Sequence, residues 1–121
     1  MVARNLSTTV SIPCRIPFSQ LRRRGIKRAL SCGIVVQESS DLENFWRVLS
    51  ENLSDRYNRL PVHTVEEMSL LKGRFPNNIR LFTACKGERV VAGCVIFEMD
   101  EWVHSQYISA SPEGKEFGAL D

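Results

Sequence analysis

No stretch of these 121 residues comes near the ~20 consecutive apolar residues that a bilayer-spanning helix requires. The first thirty residues also lack the order of a secretory signal. Val2 to Leu6 forms no apolar core, and the basic side chains follow it rather than precede it. A cytoplasmic protein is the expectation. Cysteine is sparse and unpatterned: Cys14, Cys32, Cys85 and Cys94 make no Cys-x-x-Cys and no regular interval, which argues against a zinc framework and a disulfide scaffold alike. Reduced, structural thiols are the default in such a chain. His63 and His104 are too few and too scattered to suggest a metal centre. There is no internal repeat and no low-complexity stretch.

Acidic residues are missing altogether from positions 1–37, which carry seven basic side chains: Arg4, Arg15, Arg22, Arg23, Arg24, Lys27 and Arg28. The other nine basic residues face fourteen acidic ones, so the net charge of +2 conceals a front of +7 and a body of −5. Such a split marks either a polyanion-binding segment or a solvated helix face that pairs with the acidic body.

What is present is ordinary for one globular domain, with 43% hydrophobic and 25% charged residues. Residues 1–18 read as irregular, because Pro13 and Pro17 interrupt any helix or central strand. A basic helix fills the segment 19–33: Ser19 is its N-cap, Gln20 to Ser31 its body, and Cys32-Gly33 its end. Ile34 to Gln37 is a short strand rich in β-branched residues. Ser40-Asp41-Leu42-Glu43 then reads as a capping box. Behind it Leu42, Phe45, Trp46, Leu49, Leu53 and Tyr57 make one apolar stripe on an amphipathic helix. Thr64-Val65-Glu66-Glu67 is a second capping box, opening a shorter helix to about Arg74 that Phe75-Pro76-Asn77-Asn78 closes.

From Ile79 the period changes to that of strands: Ile79 to Lys86, Arg89 to Met99, and Trp102 to Ala110, linked by Gly87-Glu88 and Asp100-Glu101. The middle strand is apolar on both faces, so helices should cover both. Cys85 falls opposite Val90, which leaves Cys94 too far along the partner strand for a disulfide. The expected fold class is α/β (α+β): helix, strand, helix, helix, then three antiparallel strands. The tail from Ser111 to Asp121 reads as a loop running into a helix that has barely begun.

The order from Ile34 to Ala110 resembles the first half of the GNAT acyltransferase fold. Leu60-Pro61-Val62-His63-Thr64, Phe75-Pro76-Asn77-Asn78-Ile79, Ala92-Gly93 and His104-Ser105-Gln106-Tyr107-Ile108 are similar to the FemAB-like branch of that superfamily. The resemblance makes residues 34–121 an incomplete GNAT-like domain whose C-terminal half, with its fifth strand, is missing. It implies transfer of an acyl group from acyl-CoA, or from aminoacyl-tRNA, to a small-molecule or peptide amine, and a fragment inactive by itself. A backbone amide of the fourth strand would polarise the acyl carbonyl. The following loop would hold the donor's phosphates. Carried onto this chain, the donor-binding positions are Ile108, Ser109, Ser111, Gly114, Lys115 and Gly118. The loop departs from the coenzyme A pattern Gln/Arg-x-x-Gly-x-Gly/Ala, because no register satisfies all three positions.

Two catalytic candidates follow from side-chain chemistry. His104 has a near-neutral titration suited to a general base for the amine, and Tyr107 could protonate the leaving group. Each also reads as an ordinary hydrogen-bonded strand residue. Strand alternation would put His104 and Gln106 on one face and Ser105, Tyr107 and Ser109 on the other. His63 either faces the acceptor or helps to cap the helix after it. The competing function is an RNA- or polyanion-binding module built on Arg22, Arg23, Arg24, Lys27 and Arg28. Self-association through the open sheet edge is a third possibility.

Overall fold

The computed structural model describes residues 16–121, so the expectations for Cys14 and the segment 1–15 lie outside it. Its elements are α1 (Gln20–Ser31), β1 (Ile34–Ser39), α2 (Leu42–Tyr57), α3 (Val65–Arg74), β2 (Ile79–Lys86), β3 (Arg89–Glu98), β4 (Val103–Ala110) and α4 (Pro112–Phe117). The strands form one antiparallel sheet in the order β1-β2-β3-β4. The three meandering strands are thus joined by the expected strand before them: β1 runs two residues beyond Gln37 and pairs along β2 from Ile34↔Lys86 to Ser39↔Leu81.

One sheet face carries α2 and α3. Leu42, Phe45, Trp46 and Leu49 pack with Met68, Ile79, Leu81 and Val95, each large apolar side chain contributing about 1.5–3 kcal/mol by leaving water. Gly93 sits beneath Phe45, where an added Cβ would lie 2.5 Å from the ring Cδ2. The stripe ends earlier than its period implies, since Tyr57 is 60% exposed. The cap of α2 also moves by one residue. Asp41, not Ser40, accepts the Asn44 amide at 3.2 Å, and Ser39 Oγ accepts the Asp41 amide. β1 runs to Ser39, whose hydroxyl is engaged by the Asp41 amide, and the helix starts at Leu42, so Asp41 is the residue placed to cap it. Thr64 does cap α3, accepting the Glu67 amide at 3.1 Å.

The opposite face carries α1. Ala84, Ala92 and Ala110 align across β2, β3 and β4, and these small side chains let Ala29 of α1 and Ala119 approach the sheet. Gly25 and Gly118 allow the last contact: Gly118 takes φ 72°, and Asp121 folds back to pair with Arg22. The tail is therefore not an opening helix. α4 is a single short segment closed by Gly118 in the left-handed conformation. Cys32, Cys85 and Cys94 are free thiols, with Cys85 opposite Val90 and Cys94 opposite Phe82.

Candidate functional site

β4 is an edge strand with a defect. Val95 pairs with Tyr107 and its neighbour Ile96 with Ser105, so Gln106 is an extra residue without a partner across β3. Such a bulge interrupts the ladder and re-aims the side chains beside it. It also overturns the expected alternation. Tyr107 faces α2, with its ring 5.0 Å from that of Trp46 in an edge-on arrangement. Ser105 faces the other way, its Oγ 3.4 Å from Cys94 Sγ.

The re-aimed tyrosine meets a histidine 44 positions earlier. Tyr107 Oη lies 2.6 Å from His63 Nδ1 and accepts the His63 backbone N–H at 3.3 Å. The His63 carbonyl in turn accepts the Trp46 indole N–H at 3.1 Å. Helix α2, the α2–α3 loop and β4 are thereby tied at one point, with His63 and Tyr107 both half-buried. Nε2 of His63 makes no hydrogen bond among the described residues. A tyrosine hydroxyl held by an amide and an imidazole can give up a proton to one side and be resupplied from the other.

His104 lies elsewhere on β4. It pairs with Phe97, is exposed, and its ring makes no hydrogen bond among the described residues. The structure brings His63, not His104, to Tyr107.

The donor-binding positions divide. Ile108 is 58% exposed, on the face of Cys94 and away from Tyr107. Ser109 is buried opposite Gly93, and its hydroxyl has no partner among the described residues. Ser111 caps α4: its hydroxyl accepts the Gly114 amide at 3.0 Å, and its own amide donates to Val91 O at 2.8 Å. Val91 is the extra residue of a bulge in β3, lying between the pairs Cys85↔Val90 and Ala84↔Ala92. Gly114 is buried against that carbonyl and Gly118 ends the helix. Both glycines therefore have packing jobs. Lys115 donates to Asn52 Oδ1 at 2.8 Å on the surface. Beside this turn is an open groove of about 310 Å³ lined by Arg47, Val48, Arg89, Ser111 and Glu113, among others. Arg89 is paired with Glu113, whereas Arg47 has no ion pair among the described residues.

In α1, Arg22 is bound to Asp121, while Arg23, Arg24, Lys27 and Arg28 are exposed and unpaired among the described residues.

Sequence reading did not bring His63 to Tyr107 and did not see the bulge. Neither leaves a local mark, because a bulge has no required residue at Gln106 and the histidine is distant along the chain.

No family model matches this chain, and no curated protein matches it in sequence. Among solved structures it is similar to the PaiA N-acetyltransferase of Thermoplasma acidophilum in complex with coenzyme A. The TM-score is 0.55 at 14% identity, over 72% of this chain and 65% of that one. At that identity the likeness speaks for fold alone, and the chain spans less than two thirds of the enzyme's length. The mixed α/β arrangement with four antiparallel strands is a partial GNAT-like fold.

Proposed function

We propose that the chain contributes to acyl transfer from a coenzyme A thioester to a small-molecule or peptide amine, with the bulged segment of β4 as the reacting edge. One observation carries the reading: in a GNAT-like sheet, the bulge at Gln106 stands directly beside a tyrosine whose hydroxyl is held by His63. The fold neighbour PaiA is an N-acetyltransferase in complex with coenzyme A, and the turn after β4 fits such a donor's phosphates only in part. Cations are at hand in Arg47 and Lys115, but the Ser111 hydroxyl and the buried face of Gly114 are already engaged.

In this reading the bulge frees backbone amide capacity at the strand edge, where it can polarise an acyl carbonyl. Tyr107 supplies a proton to the departing sulfur. The His63 amide supports the developing negative charge on the phenol oxygen, and Nδ1 returns a proton to it. His63 Nε2 is left to take the proton that the attacking amine loses, so the pair moves one proton from nitrogen to sulfur with no change in its total charge, and the imidazole ends in its other tautomer and returns by exchange with solvent. His104, on the same strand beyond the bulge, remains a candidate for the acceptor's approach rather than a partner of Tyr107. The FemAB-like branch is a narrower form of the proposal, supported by the order of the short motifs in the sequence, and an aminoacyl-tRNA donor is the alternative to coenzyme A that this branch would bring.

Titrating the chain with acetyl-CoA while following backbone amides by NMR tests the reading. Saturable shifts at Gln106, Tyr107 and Ser111 are the expected result. Shifts confined to other elements, or none at millimolar acetyl-CoA, would remove coenzyme A thioesters as the donor.

A further inference from the structure

The basic helix is not used by the acyl-transfer reading, and it lies on the other side of the sheet. α1 packs Ala29 on the alanine row of one face, whereas His63, Trp46 and Tyr107 gather on the face that carries α2. We propose that the outward surface of α1 binds the phosphate backbone of a nucleic-acid duplex without reading its sequence.

Three observations carry this. First, the helix is fixed in one orientation. Ala29 is buried, Gly25 meets the turn at Gly118, Arg22 is bound to Asp121, and Lys86 donates to the Cys32 carbonyl at the helix end. At ~100° per residue, Arg23, Arg24, Lys27 and Arg28 then fall on the solvent side together with Gln20 and Ser31, and all six are exposed. Second, these four cations stay unpaired among the described residues, although the chain carries fourteen carboxylates. A helix face that served the acidic body would show ion pairs to it, and only Arg22 does. Third, the body beyond residue 37 is net negative, so a polyanion is repelled from the rest of the molecule and drawn to this side.

The partner's chemistry follows from what the surface omits. Binding of single strands relies on aromatic platforms for unstacked bases, and the outward arc of α1 has none. Leu21 and Leu30 are exposed but lie at the margins of that arc, not at its centre. A membrane-surface helix needs a continuous apolar face toward the lipid. Four cations along a helix about 18 Å long suit a regular row of phosphates instead.

Fluorescence anisotropy of a labelled 20-base-pair duplex RNA, across a salt series, tests the proposal with the whole chain. Binding should weaken with salt at a log–log slope of about −3 to −4, the value for four displaced counterions. Arg24→Gln alone should lower the slope by about one, and the variant with Arg23→Gln, Arg24→Gln, Lys27→Gln and Arg28→Gln should abolish it. Removing charge elsewhere, with Arg56→Gln and Arg59→Gln, should leave the slope of the parent chain. Absence of duplex binding at low salt would overturn the proposal. So would equal losses in the Arg56 and Arg59 variant, tighter binding to a single-stranded oligouridine of the same length, or capture by phosphatidylserine vesicles in place of the duplex.

Discussion

Replacing Gly114 with alanine separates two jobs that a glycine can hold after a strand: keeping an amide open to a ligand, or letting a helix touch a sheet. In an exposed helix the change would add up to about 1 kcal/mol of stability through helix propensity. Here the new Cβ would sit 3.0 Å from the Val91 carbonyl carbon, and closer still to its oxygen. That oxygen belongs to the backbone of a central strand and cannot rotate aside. Relief requires α4 to lift from β3, at the expense of specific bonds and packing. Ser111 gives up its amide and hydroxyl bonds to Val91 O, at 2.8 and 3.2 Å, worth about 1 kcal/mol each. Ala119 is drawn partly out of its burial against Ala29 and Ala110, worth roughly 1 kcal/mol more. Against the propensity gain, the net loss is about 2 kcal/mol, a fall in melting temperature of roughly 10 °C for a domain of this size. Urea and thermal unfolding followed by far-ultraviolet circular dichroism would measure it. An unchanged or higher melting temperature at an unchanged m-value would refute the packing argument. If stability held while coenzyme A binding fell, Gly114 would be a ligand-facing glycine, as the family resemblance implied.

Three other changes probe the site and the sheet. Tyr107→Phe keeps the ring against Trp46 and removes the hydroxyl, so acyl transfer to an amine, read by thiol release, should fall about 10²-fold or more while the fold persists; undiminished transfer would exclude Tyr107 as proton donor. Ser109→Ala removes a buried hydroxyl with no partner among the described residues, and unfolding stability should hold or rise by up to about 1 kcal/mol; a marked loss would reveal a hidden partner. The Arg80 hydrogen bond, helped by the charges of Arg80 and Lys72, holds the Glu38 carboxyl below its ordinary value of 4.5. A depressed folded value means that its contribution is present above pH 4.5 and is lost as pH falls through the lower folded value. Melting temperature should therefore drop more steeply with acid in the parent chain than in Glu38→Gln, and parallel curves would exclude the linkage.

The parts of this fold that were legible in the sequence are those governed by local rules. Ser19 and Thr64 announce their helices because a hydroxyl before an amphipathic run satisfies free amides at once. Ile79 to Lys86 shows its bounds because Phe75-Pro76-Asn77-Asn78 and Gly87 punctuate it on both sides. Even the capping error at Ser40 is local, a choice among three adjacent oxygen-bearing side chains that only the strand exit decides. What stayed hidden depends on register. Ser105 and Tyr107 are two apart, and strict alternation puts them on one face; a single unpaired residue at Gln106 puts them on opposite faces. Nothing in His104-Ser105-Gln106-Tyr107-Ile108 states where that slip occurs, because its cause is the fit of β4 against β3 and of Tyr107 against Trp46. The same slip decides which histidine serves the tyrosine. The neighbour in sequence, His104, is left in solvent, and the distant His63 is brought to 2.6 Å. A candidate site on an edge strand is therefore set by the position of its bulge, and the hydroxyl that the bulge turns inward is the group on which the acyl-transfer reading depends.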